Sequence, residues 1–143
     1  MQIRNFNIAE DYDEVIGLWE LCELSYKPEG RDSREKMEEE LERGCAIFLL
    51  AEDAGRTIGT VLGTHDGRKG WINRLAVHPD FRQRGIGREL VNYVEQALYN
   101  EGIDIIACLI EGDNADSFNA FSRMGYIDFP GMLYLTKRRY PEV

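Results

Sequence analysis

The 143 residues, 43% apolar and 30% charged, are the length and make-up of one folded domain with one core, so 1–143 is read as a single domain. A formal charge of −9 excludes nonspecific nucleic-acid binding, which needs a basic face. The apolar runs, such as "AIFLLA" at 46–51, fall short of a membrane span, the N-terminus is too charged for a signal peptide, and three scattered cysteines with two histidines make neither a disulfide framework nor a metal site; the expected setting is the cytoplasm, with reduced thiols.

"MQIRNF" reads as a short first strand. From Ala9 to Leu24 the residues Val15, Ile16, Leu18, Trp19 and Cys22 recur at helical spacing and form one apolar face. "SYKPEGRD" breaks the chain with Pro28 and Gly30. Asp32 followed by Glu35 is a capping-box pattern, which predicts a helix running to about Arg43 and stopping at Gly44. "AIFLLAE" is a buried strand, "DAG" at 53–55 a hairpin turn and "TIGTVLGT" the returning strand. "WINRLAV", 71–77, is another strand, ended by Pro79.

The next helix carries Leu90, Val91, Val94, Ala97 and Leu98 on one side and ends at Gly102. "IDIIACLI" is a buried strand, Asp116 to Met124 a short helix closed by Gly125, and "MLYLTK", 132–137, a last strand. The order is β-α-α-β-β-β-α-β-α-β. A hairpin followed by a strand–helix–strand crossover implies antiparallel and parallel pairing in one mixed α/β sheet.

Between strand and helix lies "HPDFRQRGIGRELV", with Arg82, Arg84 and Arg88 around Gly85 and Gly87. A helix N-terminus offers unpaired N–H groups and the positive end of a dipole, which suits an anion. Glycines admit the anion close to the backbone, and arginines add bidentate donors for phosphate oxygens. The turn is not a Rossmann fingerprint, because residue 90 is Leu, and it lacks the Gly-Lys-Ser/Thr of a P-loop.

"RLAVHPDFRQRGIGRELV" resembles the acetyl-coenzyme A motif of the GNAT superfamily of N-acetyltransferases. Asn114, Ser117, Phe118, Phe121 and the Gly125–Tyr126 pair are similar to that family's second motif. The element order also matches, so the resemblance covers essentially the whole chain, and the chain looks especially like small stand-alone prokaryotic members. It implies a GNAT fold, a mixed central sheet with splayed strands flanked by helices. It implies acetyl-CoA as co-substrate, with direct transfer of acetyl to a small-molecule or peptide amine. The strand residues Leu75, Ala76 and Val77 would pair with the pantetheine arm, one N–H polarising the thioester carbonyl. The turn Arg82, Gln83, Arg84, Gly85, Ile86, Gly87 and Arg88 would wrap the pyrophosphate, and Asn114 would contact the cofactor arm. The family also commonly forms homodimers.

Two positions depart from the family pattern. Phe121 stands where a tyrosine acid is usual, and Trp71 where a glutamate base is common. Backbone polarisation and proximity are one explanation; substitutes such as Glu111, just past "IDIIACLI", or Tyr134, on the last strand, are another. Glu52, His65 and Asp66 are further candidate substitutes. A coenzyme A-binding sensor with little turnover is the alternative function. Cys108 lacks a histidine partner and reads as an inert thiol. The charge is concentrated: residues 10–42 hold 13 acidic against four basic residues. An acidic rim there would attract a cationic amine, with Glu20, Glu23 and Glu29 as candidate contacts, whereas Arg74 could pair an acceptor carboxylate.

Overall fold

The computed structural model describes residues 1–143. In chain order it contains β1 (Gln2–Asn5), α1 (Ile8–Leu21), α2 (Arg34–Glu42), β2 (Ala46–Asp53), β3 (Arg56–His65), β4 (Lys69–Val77), α3 (Ile86–Asn100), β5 (Ile105–Ala107) and α4 (Ala115–Arg123). The five strands form one sheet in the order β1-β2-β3-β4-β5. The first three pairings are antiparallel and the last, β4 with β5, is parallel. The mixed α/β sheet read from the sequence is therefore present, with α3 as the crossover. No helix is long and apolar enough to cross a membrane.

Both faces of the sheet are covered. The apolar stripe of α3 places Leu90, Val91, Val94 and Leu98 on one face, against Ile58, Val61 and Ile72. On the other face Val15 and Trp19 of α1 and Met37 of α2 pack on Phe48, Leu50 and Leu62. Burial on both faces explains why "AIFLLAE" is a continuous apolar run rather than an alternating one. α3 lies close on the sheet at two glycines. A Cβ built on Gly63 would run into Val94 Cγ2, and one on Gly70 would lie 3.2 Å from both Leu98 and Ile103. Glycine at these positions lets helix and sheet approach closely.

Helix starts follow local chemistry, with one correction. Asn7 caps α1 through its side chain, and Ser33, not Asp32, caps α2 by accepting from the Lys36 N–H at 3.2 Å. Asp32 is thereby released for a tertiary role.

The C-terminal expectation is overturned. Residues 132–137 form no strand. Leu133 and Leu135 are 83% and 86% exposed. Nor does the strand read over "IDIIACLI" extend through the segment; only residues 105–107 pair. Strand formation requires pairing with an edge as well as β-forming residues, and "MLYLTK" pairs with none, although the outer edge of β5 is free. The chain instead ends with Glu142 and Val143 packed against Gly30.

Close packing under α3 makes two glycines respond oppositely to alanine. Gly63→Ala is expected to destabilise the fold by about 1–3 kcal/mol through overpacking. Gly17 lies in α1 with nothing within 4 Å of an added Cβ, so Gly17→Ala should stabilise by roughly 0.5–1 kcal/mol. Denaturant titration of both variants checks the pair; equal signs would contradict it.

Candidate active site

The site begins with an irregularity in β4. Asn73 lies opposite Leu62 and Ala76 opposite Thr60, so Arg74 and Leu75 share the single partner Val61. This is a β-bulge, a local kink that bends the strand and re-aims its side chains. Arg74 takes φ +53°, a left-handed conformation that side chains other than Gly, Asn and Asp seldom adopt. On the other side of β4, pairing with β5 stops at Trp71 and Ala107. Beyond that rung the two strands separate.

The gap is a cleft of about 190 Å³, bounded by residues 72–75 on one side and 108–111 on the other. Asn114, Ser117 and Phe121 of the α4 region close one end, and Leu24 enters from the α1–α2 connection. Such a narrow, one-strand-wide opening suits an extended chain rather than a broad ring system.

A buried ion pair holds the bulge. The Arg74 Nη2 and Nε donate to Asp32 Oδ2 and Oδ1 at 2.5 and 3.2 Å. The two side chains are only 14% and 6% exposed. Arg74 also donates to the Ser25 carbonyl at 3.1 Å and stacks over Trp19 at 5.5 Å. Its own carbonyl accepts from Thr60 Oγ1 at 2.8 Å, and Trp19 Nε1 donates to the same Thr60 oxygen at 2.9 Å. Asp32 in turn accepts the Lys27 N–H at 2.7 Å, and its carbonyl accepts from Tyr12 Oη at 2.8 Å. The α1–α2 connection is thus tied across β4 beside the cleft. This revises the reading of Arg74 as a partner for an acceptor carboxylate, because Asp32 already fills that place.

At the end of β4 the chain turns toward α3. A 3-10 turn spans Pro79–Phe81. Gln83 and Gly85 then take φ of +62° and +80°, which rotates successive peptide units relative to one another. Gly85 is the N-cap of α3 and supplies no side-chain hydrogen bond, so the first-turn N–H groups lack a side-chain acceptor. A Cβ on Gly85 would meet nothing within 4 Å, and one on Gly87 only Val77 Cγ2 at 3.7 Å; the space above the turn is open. The three arginines are each tied to neighbouring groups. Arg82 donates to the Val77 carbonyl at 3.0 Å, Arg84 stacks on Phe81 at 5.0 Å, and Arg88 donates to the Arg123 carbonyl at 2.8 Å. The arrangement fits a large anion whose slender arm runs on into the cleft.

The remaining sequence candidates separate clearly. Leu75 borders the cleft, whereas Ala76 is 5% exposed and faces the α1 side of the core. Val77 and Ile86 pack in the core beneath α3. Asn114 reaches the cleft and spends its carbonyl oxygen on capping α4, accepting from the Ser117 N–H at 3.1 Å. Glu111 is on the cleft wall and exposed. Tyr134 is not: it is 69% exposed and outside the cleft, because the strand that should have carried it does not form. Phe121 is 6% exposed and lies edge-on to Tyr126 at 5.0 Å.

Tyr126 is the nearest tyrosine in that packing, but its hydroxyl donates to Glu95 at 2.7 Å. Burial, then this bond, raises its pKa far above the ordinary range. Cys108 is half-buried on the cleft wall, and burial pushes its thiol up, which keeps it protonated and unreactive near neutrality. Glu20 accepts from Tyr26 Oη at 2.6 Å. In the second helix it is Glu40 that is set apart, its carboxyl raised by burial and then by the charge of Asp32. The sequence reading missed Asn73, Asp32 and Glu40. Only Asp32 carried a signal, and that signal pointed to a cap.

Comparison with known proteins places these features in context. Residues 6–126 match the model of the acetyltransferase (GNAT) family. An acetyltransferase of Sodalis glossinidius is 36% identical over 138 residues, 96% of this chain and 95% of that protein. Among solved structures, a predicted acetyltransferase from Clostridium acetobutylicum with acetyl-CoA superposes with a TM-score of 0.76 at 16% identity, over 94% of this chain and 95% of that one. AAC(6')-Iy in complex with the bisubstrate analogue CoA-S-monomethyl-acetylneamine does so with a TM-score of 0.78 at 22% identity, over 96% and 97%. These likenesses confirm the fold expected from the sequence.

Breaking the Asp32–Arg74 pair tests its role. Asp32→Ala leaves a buried, uncompensated guanidinium and is expected to cost about 3–5 kcal/mol, whereas Asp32→Ala with Arg74→Met should recover most of that stability. Denaturant unfolding of the single and double variants measures both; a single variant that loses nothing shows that the pair does not hold the bulge.

Proposed function

The chain belongs to the GNAT acetyltransferase family, and from that premise we propose that it transfers acetyl from acetyl-CoA directly to a primary amine that carries positive charge. It is an acetyl-CoA-dependent N-acyltransferase; the choice of acceptor is our reading. One observation carries it. The cleft walls hold two charged side chains, Arg74 and Glu111, and Arg74 is neutralised by Asp32 at 2.5 Å. The charge left for a ligand is a carboxylate. The acidic segment 10–42 lies on the same side through the α1–α2 connection, and its 13 acidic residues against four basic ones add a field that draws in cations. AAC(6')-Iy, solved with an acetylneamine-bearing analogue, shows such an acceptor on this fold, in a distant relative.

Acetyl-CoA supplies the activated thioester; the residues of this chain hold and orient it. In our reading the open turn from Arg82 to Arg88 takes the pyrophosphate on backbone N–H groups and guanidinium donors. The unpaired edge of β4 at Leu75–Val77 offers main-chain groups to the pantetheine arm. An N–H of that edge stabilises negative charge on the thioester oxygen. Asn114 steadies the arm from the opposite wall. Glu111 takes a proton from the acceptor ammonium, directly or through water. No tyrosine serves as acid, since Phe121 is apolar and Tyr126 is bound to Glu95. A thiolate of ordinary pKa about 8.5 leaves without strong assistance. We take residues 1–143 as one catalytic domain, at home in a reducing cytoplasm where Cys22, Cys45 and Cys108 stay free.

Two experiments test this. A Cβ on Gly87 would make only an ordinary contact with Val77 at 3.7 Å, in a helical conformation, so Gly87→Leu should fold normally yet raise the KM for acetyl-CoA at least about tenfold, the equivalent of 1.4 kcal/mol. An unchanged KM removes the phosphate role of the turn. For the acceptor, thiol release is followed against polyamines, aminoglycosides, amino acids and peptide amines. Cationic amines should lead, added salt should raise their KM, and Glu111→Gln should raise it about tenfold. Preference for an acceptor bearing a net negative charge sinks the proposal.

A further inference from the structure

The strands carry two large aromatic side chains, Phe48 and Trp71. Phe48 lies in the core under α1, whereas Trp71 packs in neither core and is only half-buried. Its neighbours define its place. A Cβ on Gly70 would meet Leu98 and Ile103, and Ile72 lies in the core beneath α3. Side chains alternate along a strand, so Trp71 and Asn73 point to the other face, the one that carries α1 and α2. Leu62, opposite Asn73, packs in the core on that same face. Trp71 also forms the last rung between β4 and β5, so its ring stands where the cleft begins. Asn73, two residues on, is exposed and lines the cleft.

The indole holds a cation of this chain. Lys69, two residues before it on the same face, places its ammonium 4.6 Å from the ring centroid. That ammonium joins none of the ion pairs of the protein. An aromatic face that attracts one ammonium attracts another through the same ring quadrupole. A lysine ammonium is strongly hydrated and sits on a flexible stem, so this occupant is replaceable. Asp66, whose carboxylate accepts the Lys69 N–H at 2.8 Å, offers the released side chain a counter-charge.

We infer that Trp71 determines acceptor specificity: its ring takes the second ammonium of a diamine or longer polyamine, which displaces Lys69 while the reacting amine lies in the cleft beyond Asn73. From Trp71 to Asn73 and Arg74 the strand runs two to three residues, roughly 7–10 Å. That length sets the spacing of the two charges. The inference rests on the acceptor reading above and narrows it, from any cationic amine to one with two separated charges. Trp71 touches the distal end of the acceptor and not the reacting atoms, so it acts on KM rather than on kcat.

The test compares 1,6-diaminohexane with 6-aminohexan-1-ol, equal in length and differing in the distal charge. Trp71→Leu should raise the KM of the diamine about tenfold, hold kcat, and leave the KM of the amino alcohol within about twofold. Trp71→Phe, which keeps a ring, should fall between. Lys69→Met should lower the diamine's KM about fivefold by freeing the ring. Removing a positive charge would also lower it, and the double variant separates the two causes: added to Trp71→Leu, Lys69→Met should gain nothing. Binding gives a readout without turnover. Trp19 is fully buried and Trp71 is the only other tryptophan, so the diamine should change the indole fluorescence of the parent chain and not of Trp71→Phe. Diamine and amino alcohol responding alike to Trp71→Leu overturn the inference and leave a cationic acceptor in place. So does a Lys69→Met gain that survives without the indole, or a fluorescence that the diamine leaves unchanged. Failure of the acceptor reading looks different: the diamine alters Trp71 fluorescence yet no cationic amine is acetylated, which overturns both.

Discussion

Arg74 sits in a left-handed conformation at the kink of β4, and the carboxylate of Asp32 holds it there. Neither half of this arrangement is favourable alone. A left-handed arginine is strained, and a guanidinium or carboxylate withdrawn from water is costly unless paired. Together they form a closed set, with Trp19 and Thr60 fixing the arginine from below and Lys27, Tyr12 and Ser25 fixing the loop above. The kink turns β4 away from the regular ladder where pairing to β5 stops, and the cleft is the consequence. The same pair pins the α1–α2 connection next to the opening. The electrostatic character of the cleft follows too, since the arginine that would have made it cationic is neutralised.

The rest of the sheet is arranged so that this one irregularity can persist. α3 lies close on glycine-bearing strands, with Leu90, Val91, Val94 and Leu98 fully buried. That close packing sets the N-terminus of α3 near the end of β4. The open turn and the cleft are therefore held at two ends of the same packed unit. A ligand with a charged head and a thin reactive arm spans both without rearrangement of the core. Positioning of this sort supplies much of the rate in a transfer between two bound molecules.

Charge works locally rather than through the total of −9. Arginines gather at the glycine turn ahead of α3, and carboxylates concentrate in residues 10–42. Each patch suits a different partner. The net charge alone predicted only the absence of nucleic-acid affinity.

How much of this was legible beforehand follows from the range of the forces involved. Helical spacing in α1 and α3 and the hairpin at 53–55 are local patterns that announced these elements and the mixed sheet correctly, and the Arg-rich glycine turn is the local pattern on which the family resemblance was read. Asp32 was read as a cap because its neighbour Glu35 completes a local pattern; its real partner is 42 residues away. Arg74 was misjudged for the same reason. "MLYLTK" has the composition of a strand, but a strand exists only where an edge receives it, and no local rule states whether one does. Tyr134 fell out of the site with it. Composition, spacing and turn chemistry determined most of the elements and the glycine turn that opens α3. The tertiary structure decided which buried charges neutralise each other, where β4 and β5 part, and which edges remain open, because those depend on contacts between residues far apart in the chain.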